Sequence, residues 1–105
     1  MLKIHPLRPN SNVTVEQLIP FKATNLLEGS IHLIPSGTGG RDLISHQGEE
    51  VMYVLEGTLE VTVGSEKYIL HEGDSVHIRS ELPHGYHNPG PTPARALVVN
   101  TPPTF

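Results

Sequence analysis

Two histidines and a glutamate, His46, Glu50 and His84, are the residues of this 105-residue chain best suited to hold a metal ion. Imidazole nitrogens and a carboxylate oxygen bind divalent cations at about 2.0–2.2 Å, and two histidines with one carboxylate leave coordination positions open. The spacing makes sense only through a bend. On one straight strand His46 and Glu50 would share a face but lie about 13 Å apart, too far for one ion. Gly48 stands between them. A tight turn over Gln47-Gly48-Glu49 would make the two residues cross-strand neighbours, with Cβ atoms roughly 5 Å apart. His84 opens another expected strand after Leu82-Pro83 and would supply the third ligand. The donor set suits one divalent ion, with Fe, Zn, Mn and Ni all compatible.

The elements that must position these residues are short. Runs rich in Val, Ile, Leu and Tyr predict strands over 13–21, 30–34, 41–46, 50–56, 58–63, 67–70, 75–78, 84–88 and 94–100. Residues 24–29 read as a turn or a single helical turn, and residues 1–12 as an extended arm covering a sheet edge. Gly64-Ser65 is a hairpin turn. Strand side chains alternate, so Ile44 should share a face with His46, Met52 with Glu50, and Tyr86 and Asn88 with His84. These four would line a pocket around the ion; for Met52 and Tyr86 plain core packing is the competing expectation. His87 should face away from it. His77 is a candidate wall, rim or core residue, and His32 a candidate to approach the ion from an early strand. His5 and His71 read as tail and turn residues. Tyr53 and Leu55 have the opposite parity to Glu50 and should point outward, where a second copy of the chain would cover them in a homodimer.

Ten glycines and ten prolines break the chain too often for long helices, which favours an all-β sandwich or barrel as one domain over residues 1–105. Closing the sheet as a jelly roll removes exposed strand edges. Seven basic against eleven acidic residues, a net charge of −4, leave no basic face for phosphates, so this domain alone should not bind nucleic acid. With no cysteine, disulfides and thiolate ligation are excluded. The start lacks a hydrophobic signal region, and no apolar stretch approaches a membrane span, so a cytoplasmic location is expected.

Residues Ile44 to Gly57, reading ISHQGEEVMYVLEG, resemble the first motif of the cupin superfamily, with His46 on its second histidine, Glu50 on its glutamate and Gly57 on its glycine. Gly73-Asp74-Ser75-Val76 and Pro83-His84-Gly85-Tyr86-His87-Asn88 resemble the second motif, with His84 on the ligand histidine and Asn88 on the closing asparagine. The resemblance runs from Ser30 to the end of the chain and implies a double-stranded β-helix with one metal site. Two departures stand out. Ile44 occupies the place of the first ligand histidine, which reduces four ligands to three and sets an apolar wall beside the ion. Arg79 and Glu81 replace a proline and a glycine of the second motif.

A closer resemblance is to the sensor barrel of Xre-type regulators, in which a helix-turn-helix precedes a cupin. It is carried by His46 to Glu50, Tyr53 to Gly57 and the tail Val98 to Phe105. No segment here resembles the helix-turn-helix, so a stand-alone barrel is expected. The resemblance implies a metal-dependent, small-molecule-binding protein in a sensor or accessory role. The alternatives are a metal-dependent enzyme of dioxygenase, isomerase, lyase or epimerase type, with Tyr86 or His77 as acid or base, and a metal-free structural or binding barrel.

Overall fold

The computed structural model describes residues 3–20, 22–39 and 43–103, which form strands and turns with no helix. Nine strands follow in order: β1 (Lys3–Pro6), β2 (Thr14–Gln17), β3 (Glu28–Ile34), β4 (Glu49–Glu56), β5 (Leu59–Val63), β6 (Glu66–Leu70), β7 (Ser75–Arg79), β8 (His84–His87) and β9 (Ala94–Thr101). They make two antiparallel sheets, ordered β1-β2-β3-β9-β4-β7 and β6-β5-β8. This is the all-β jelly roll expected from the sequence. Among the described residues no helix is long and apolar enough to cross a membrane.

Period-two patterning builds the interior. Along β4, Glu50, Met52 and Val54 are buried while Val51, Tyr53 and Leu55 are exposed, and along β9 Ala94, Ala96, Val98 and Asn100 are buried. The core between the sheets joins these to Ile34, Leu59, Val61, Leu70 and Ile78. Burying an aliphatic side chain contributes roughly 1.5–3 kcal/mol, so about ten such residues supply the main driving force for closure. The two-residue loop Gly64-Ser65 joins β5 to β6 as expected, with Val63 opposite Glu66.

Several boundaries differ from the sequence expectation. The arm is a strand: β1 pairs along β2 and extends the larger sheet by one edge strand. Strand β2 is shorter than predicted, ending at Gln17, and Phe21 lies outside the described residues. Of the strand expected over 41–46, the described residues 43–46 form only a single bridge at Ile44, and Arg41 and Asp42 lie outside the described residues. Met1, Leu2, Thr104 and Phe105 also lie outside them.

Candidate metal centre

The segment from Ile44 to Glu50 crosses from one sheet to the other. Ile44 and His84 exchange two backbone hydrogen bonds of 2.9 Å, which ties the segment to β8 in the smaller sheet. Two residues on, the His46 amide donates to the Ser80 carbonyl, and the Ser80 amide donates to the Gly48 carbonyl, both at 2.9 Å. From Glu49 the chain is β4, with Glu50 opposite Ile78 of β7 and Asn100 of β9 in the larger sheet. His46 and Glu50 are therefore not partners across a hairpin, as the spacing had led us to expect. Both pair with the stretch that runs from β7 to β8, and the bend at Gly48 is a corner of the barrel. Gly48 has φ +104, and a Cβ there would sit 1.9 Å from the Thr101 carbonyl oxygen, so only glycine fits.

At this corner the side chains of His46, Glu50 and His84 converge, each offering a donor atom within 4.8 Å of the others. Glu50 Oε1 lies 2.8 Å from His84 Nε2 and 3.4 Å from His46 Nε2. The two imidazole rings meet edge to face with centroids 5.0 Å apart. Glu50 and His84 are buried and His46 is partly exposed. The buried Ser80 hydroxyl donates a long bond of 3.4 Å to the same Oε1.

The far side of each ring fixes its tautomer. His84 Nδ1 lies 2.8 Å from the Leu82 carbonyl and His46 Nδ1 3.1 Å from the Gln47 carbonyl. A carbonyl can only accept, so both Nδ1 atoms carry hydrogen and both Nε2 atoms are left for the centre. With neutral imidazoles, two nitrogen lone pairs and a carboxylate oxygen then face one another. That arrangement is repulsive unless a cation, protons or a metal, lies between them. Backbone support at Nδ1 is also how metal-bound histidines are generally oriented. The residues present fit a divalent ion.

The centre opens into a cavity of about 300 Å³. Ile44, Met52 and Tyr86 line it, together with Val15, Ile78 and Val98. Ile44 stands as an apolar wall beside the three donors, and it is partly open to solvent. Asn88 does not line the cavity. It follows the last residue of β8, where the chain turns away, and its amide instead donates to the Ile34 and Thr92 carbonyls at 2.9 Å while its Oδ1 accepts from Gly90 N. Fully buried, it fastens the β8–β9 turn. His77 is also elsewhere: it points outward, 2.7 Å from Glu49 Oε1. That hydrogen bond, and then the charge of His77, hold the Glu49 carboxyl below its usual range.

His32 lines the cavity away from the three-donor cluster. Its Nδ1 is 2.6 Å from the Tyr86 hydroxyl and its Nε2 3.2 Å from Ser30 Oγ. Burial, followed by the nearby His5, pushes its pKa down to about 4, so the ring is neutral at pH 7. Burial likewise raises the Tyr86 phenol above its ordinary range, with the Arg8 guanidinium acting against that and Glu50 with it. Sequence reasoning missed the wall supplied by the first hairpin, where His5, Leu7, Arg8 and Gln17 reach the cavity. Alternation along 3–6 and 14–17 was the available signal, but it depends on knowing that the arm is a strand.

The comparisons with known proteins agree with this fold. Residues 29–100 match the cupin domain family, and the chain belongs to it. Over 69 residues it is 38% identical to the HTH-type transcriptional regulator PuuR of Escherichia coli (strain K12), covering 66% of this chain and 37% of the regulator. An uncharacterized protein of Methanocaldococcus jannaschii is 34% identical over 58 residues, covering 55% of this chain and 46% of that protein. The chain thus spans less than half the length of these curated relatives. Among solved structures, the cupin domain of an XRE family transcriptional regulator from Enterobacter cloacae superposes with a TM-score of 0.78 at 21% identity, covering 88% of this chain and 98% of that one. A cupin domain from Rhodospirillum rubrum gives 0.82 at 18% identity, covering 99% of this chain and 72% of that one. At these identities the likeness is one of fold.

Proposed function

We propose that this cupin barrel holds one divalent metal ion through His46, Glu50 and His84 and binds a small molecule in the cavity above it, in a sensor or accessory role. The observation that carries the metal is the meeting of three acceptor atoms at one point, two of them on buried residues, with both Nδ1 hydrogens committed to backbone carbonyls. When bound, such an ion offers open positions to a ligand oxygen and acts as a Lewis acid. The sensor role is supported by the regulators among the relatives.

We infer further that the protein is a homodimer through the outer face of the larger sheet. Val51, Tyr53 and Leu55 of β4 stand exposed on that face, and Leu97 and Val99 of β9 and Leu33 of β3 continue it by register and parity. Glu16 of β2, Ser75 and His77 of β7, and the exposed Arg95 of β9, which lies opposite both Leu33 and Glu56, rim it. The uncharged centre of Val51, Tyr53, Leu97 and Val99 within this polar rim suits a two-fold contact with a second copy, because an uncharged centre is complementary to itself even when the chain carries a net charge of −4.

Elemental analysis of protein purified without chelator or histidine tag tests the metal. About one equivalent of a divalent transition metal is expected per chain. Glu50→Gln, which keeps the shape but removes the charge, should lower affinity by more than the roughly 10- to 100-fold typical of losing a supporting contact. Unchanged metal content in that variant would contradict the proposal.

A further inference from the structure

We propose that Arg8 and Tyr86 form a carboxylate-binding subsite in the cavity, distinct from the three-donor cluster, and that the ligand is a small organic acid with an apolar body. This deepens the ligand-binding reading above and rests on it, but it does not rest on the metal. Leu7, Val15, Ile44, Met52 and Val98 make most of the wall apolar, so they select the body of the ligand and leave its orientation to a few polar groups.

Among those groups, Arg8 is the single lysine or arginine lining the cavity among the described residues. The lining carboxylates are already engaged, Glu50 with the two imidazoles and Glu28 with a partner inside the protein. A ligand ammonium would therefore compete with the cation that the three-donor cluster itself requires, whereas a carboxylate meets a guanidinium and a hydroxyl. Arginine presents parallel N–H donors that match a carboxylate, which favours an acid over a neutral ligand. Arg8 and Tyr86 line the same cavity as the three donors, and the Tyr86 hydroxyl lies 2.6 Å from His32 Nδ1.

The contacts behind Tyr86 let its hydroxyl face either kind of ligand atom. In one arrangement Tyr86 donates to His32 Nδ1, and His32 Nε2–H donates to Ser30 Oγ. In the other, the Ser30 hydroxyl donates to Nε2, Nδ1–H donates to the Tyr86 oxygen, and the Tyr86 O–H is free for the cavity. A carboxylate beside Tyr86 selects the second arrangement. His32 is thus a positioning residue, whose ring proton moves from Nε2 to Nδ1 as the ligand enters while its charge stays zero.

The test uses 4-methylpentanoate and 4-methylpentylamine as matched probes. They are titrated by NMR into the full chain with and without Zn²⁺, with side-chain nitrogen signals recorded for the histidines. The carboxylate should bind at least tenfold more tightly than the amine and move the His32 signals to the Nδ1–H tautomer. Arg8→Gln should weaken it about 10- to 100-fold, the size of a charge-assisted hydrogen bond. Arg8→Lys should recover part of that loss, and Tyr86→Phe should weaken the carboxylate less than Arg8→Gln does. Equal binding of the amine, unchanged affinity in Arg8→Gln, or no binding of the carboxylate in either state would overturn the subsite. The Zn²⁺ arm separates the two readings. Zn²⁺ that shifts His46 and His84 while the carboxylate is ignored leaves the metal and removes the subsite; the reverse removes the metal and leaves the subsite.

Discussion

Glu50 Oε1 is the atom on which the centre turns, since both imidazoles and the Ser80 hydroxyl converge on it. The convergence of the three donor side chains was legible in the sequence because His, Glu and His stood on either side of glycine and proline breaks. Asn88 was misassigned because parity was carried one residue past the end of β8, into a turn where alternation no longer holds. Ile44 offers a direct probe of the ligand set. It bridges His84 in the backbone and faces the cavity, so Ile44→His adds a fourth nitrogen and should tighten divalent metal binding severalfold in a competition titration. Equal affinity in the two proteins would place the ion elsewhere. His32 makes a separate prediction about pH. Its folded pKa is depressed to about 4 while the unfolded value is about 6.5, so between these values the unfolded chain takes up a proton that the folded ring refuses. Its contribution to stability is therefore intact above pH 6.5 and declines as pH falls toward 4. In urea unfolding, the stability advantage of the wild type over His32→Gln should shrink by about 2 kcal/mol between pH 7 and pH 5. A difference that stays constant over that interval would show that the ring is not shut away from water.

At the scale of elements, the corner at Gly48 does what a hairpin was expected to do. The sequence required a bend between His46 and Glu50, and a tight turn was the local solution. The observed solution is non-local: residues 44–48 bond to Ser80 and His84, residues that a short-range reading cannot bring alongside. The same reason hid the role of the first hairpin, whose contribution to the cavity depends on pairing β2 with β3 across the intervening turn. Gly48→Ala combines a φ that side chains rarely adopt with a Cβ overlapping the Thr101 carbonyl. It should cost at least about 2–3 kcal/mol in urea unfolding. A loss below about 0.5 kcal/mol would mean that the corner relaxes freely and does not fix the geometry of the centre.

For the whole molecule, the fold class and most of the strands could be read in advance, because alternation and regular turn residues are a strong signal for short antiparallel strands. What could not be read was which strands share a sheet, since that depends on contacts between distant segments such as β4 with β9. The outward parity of Tyr53 was legible, and it leads to a prediction at this scale. The wild type should sediment as a dimer at micromolar concentration, and Tyr53→Lys should sediment as a folded monomer. A wild-type monomer would remove the proposed contact. The central claim is tested most directly by anomalous diffraction at the zinc edge from crystals of the protein grown with Zn²⁺. The expected result is one peak per chain, about 2.0–2.2 Å from His46 Nε2, His84 Nε2 and a Glu50 carboxylate oxygen. Peaks confined to surface histidines such as His77, with none at the corner between β4 and β8, would contradict it.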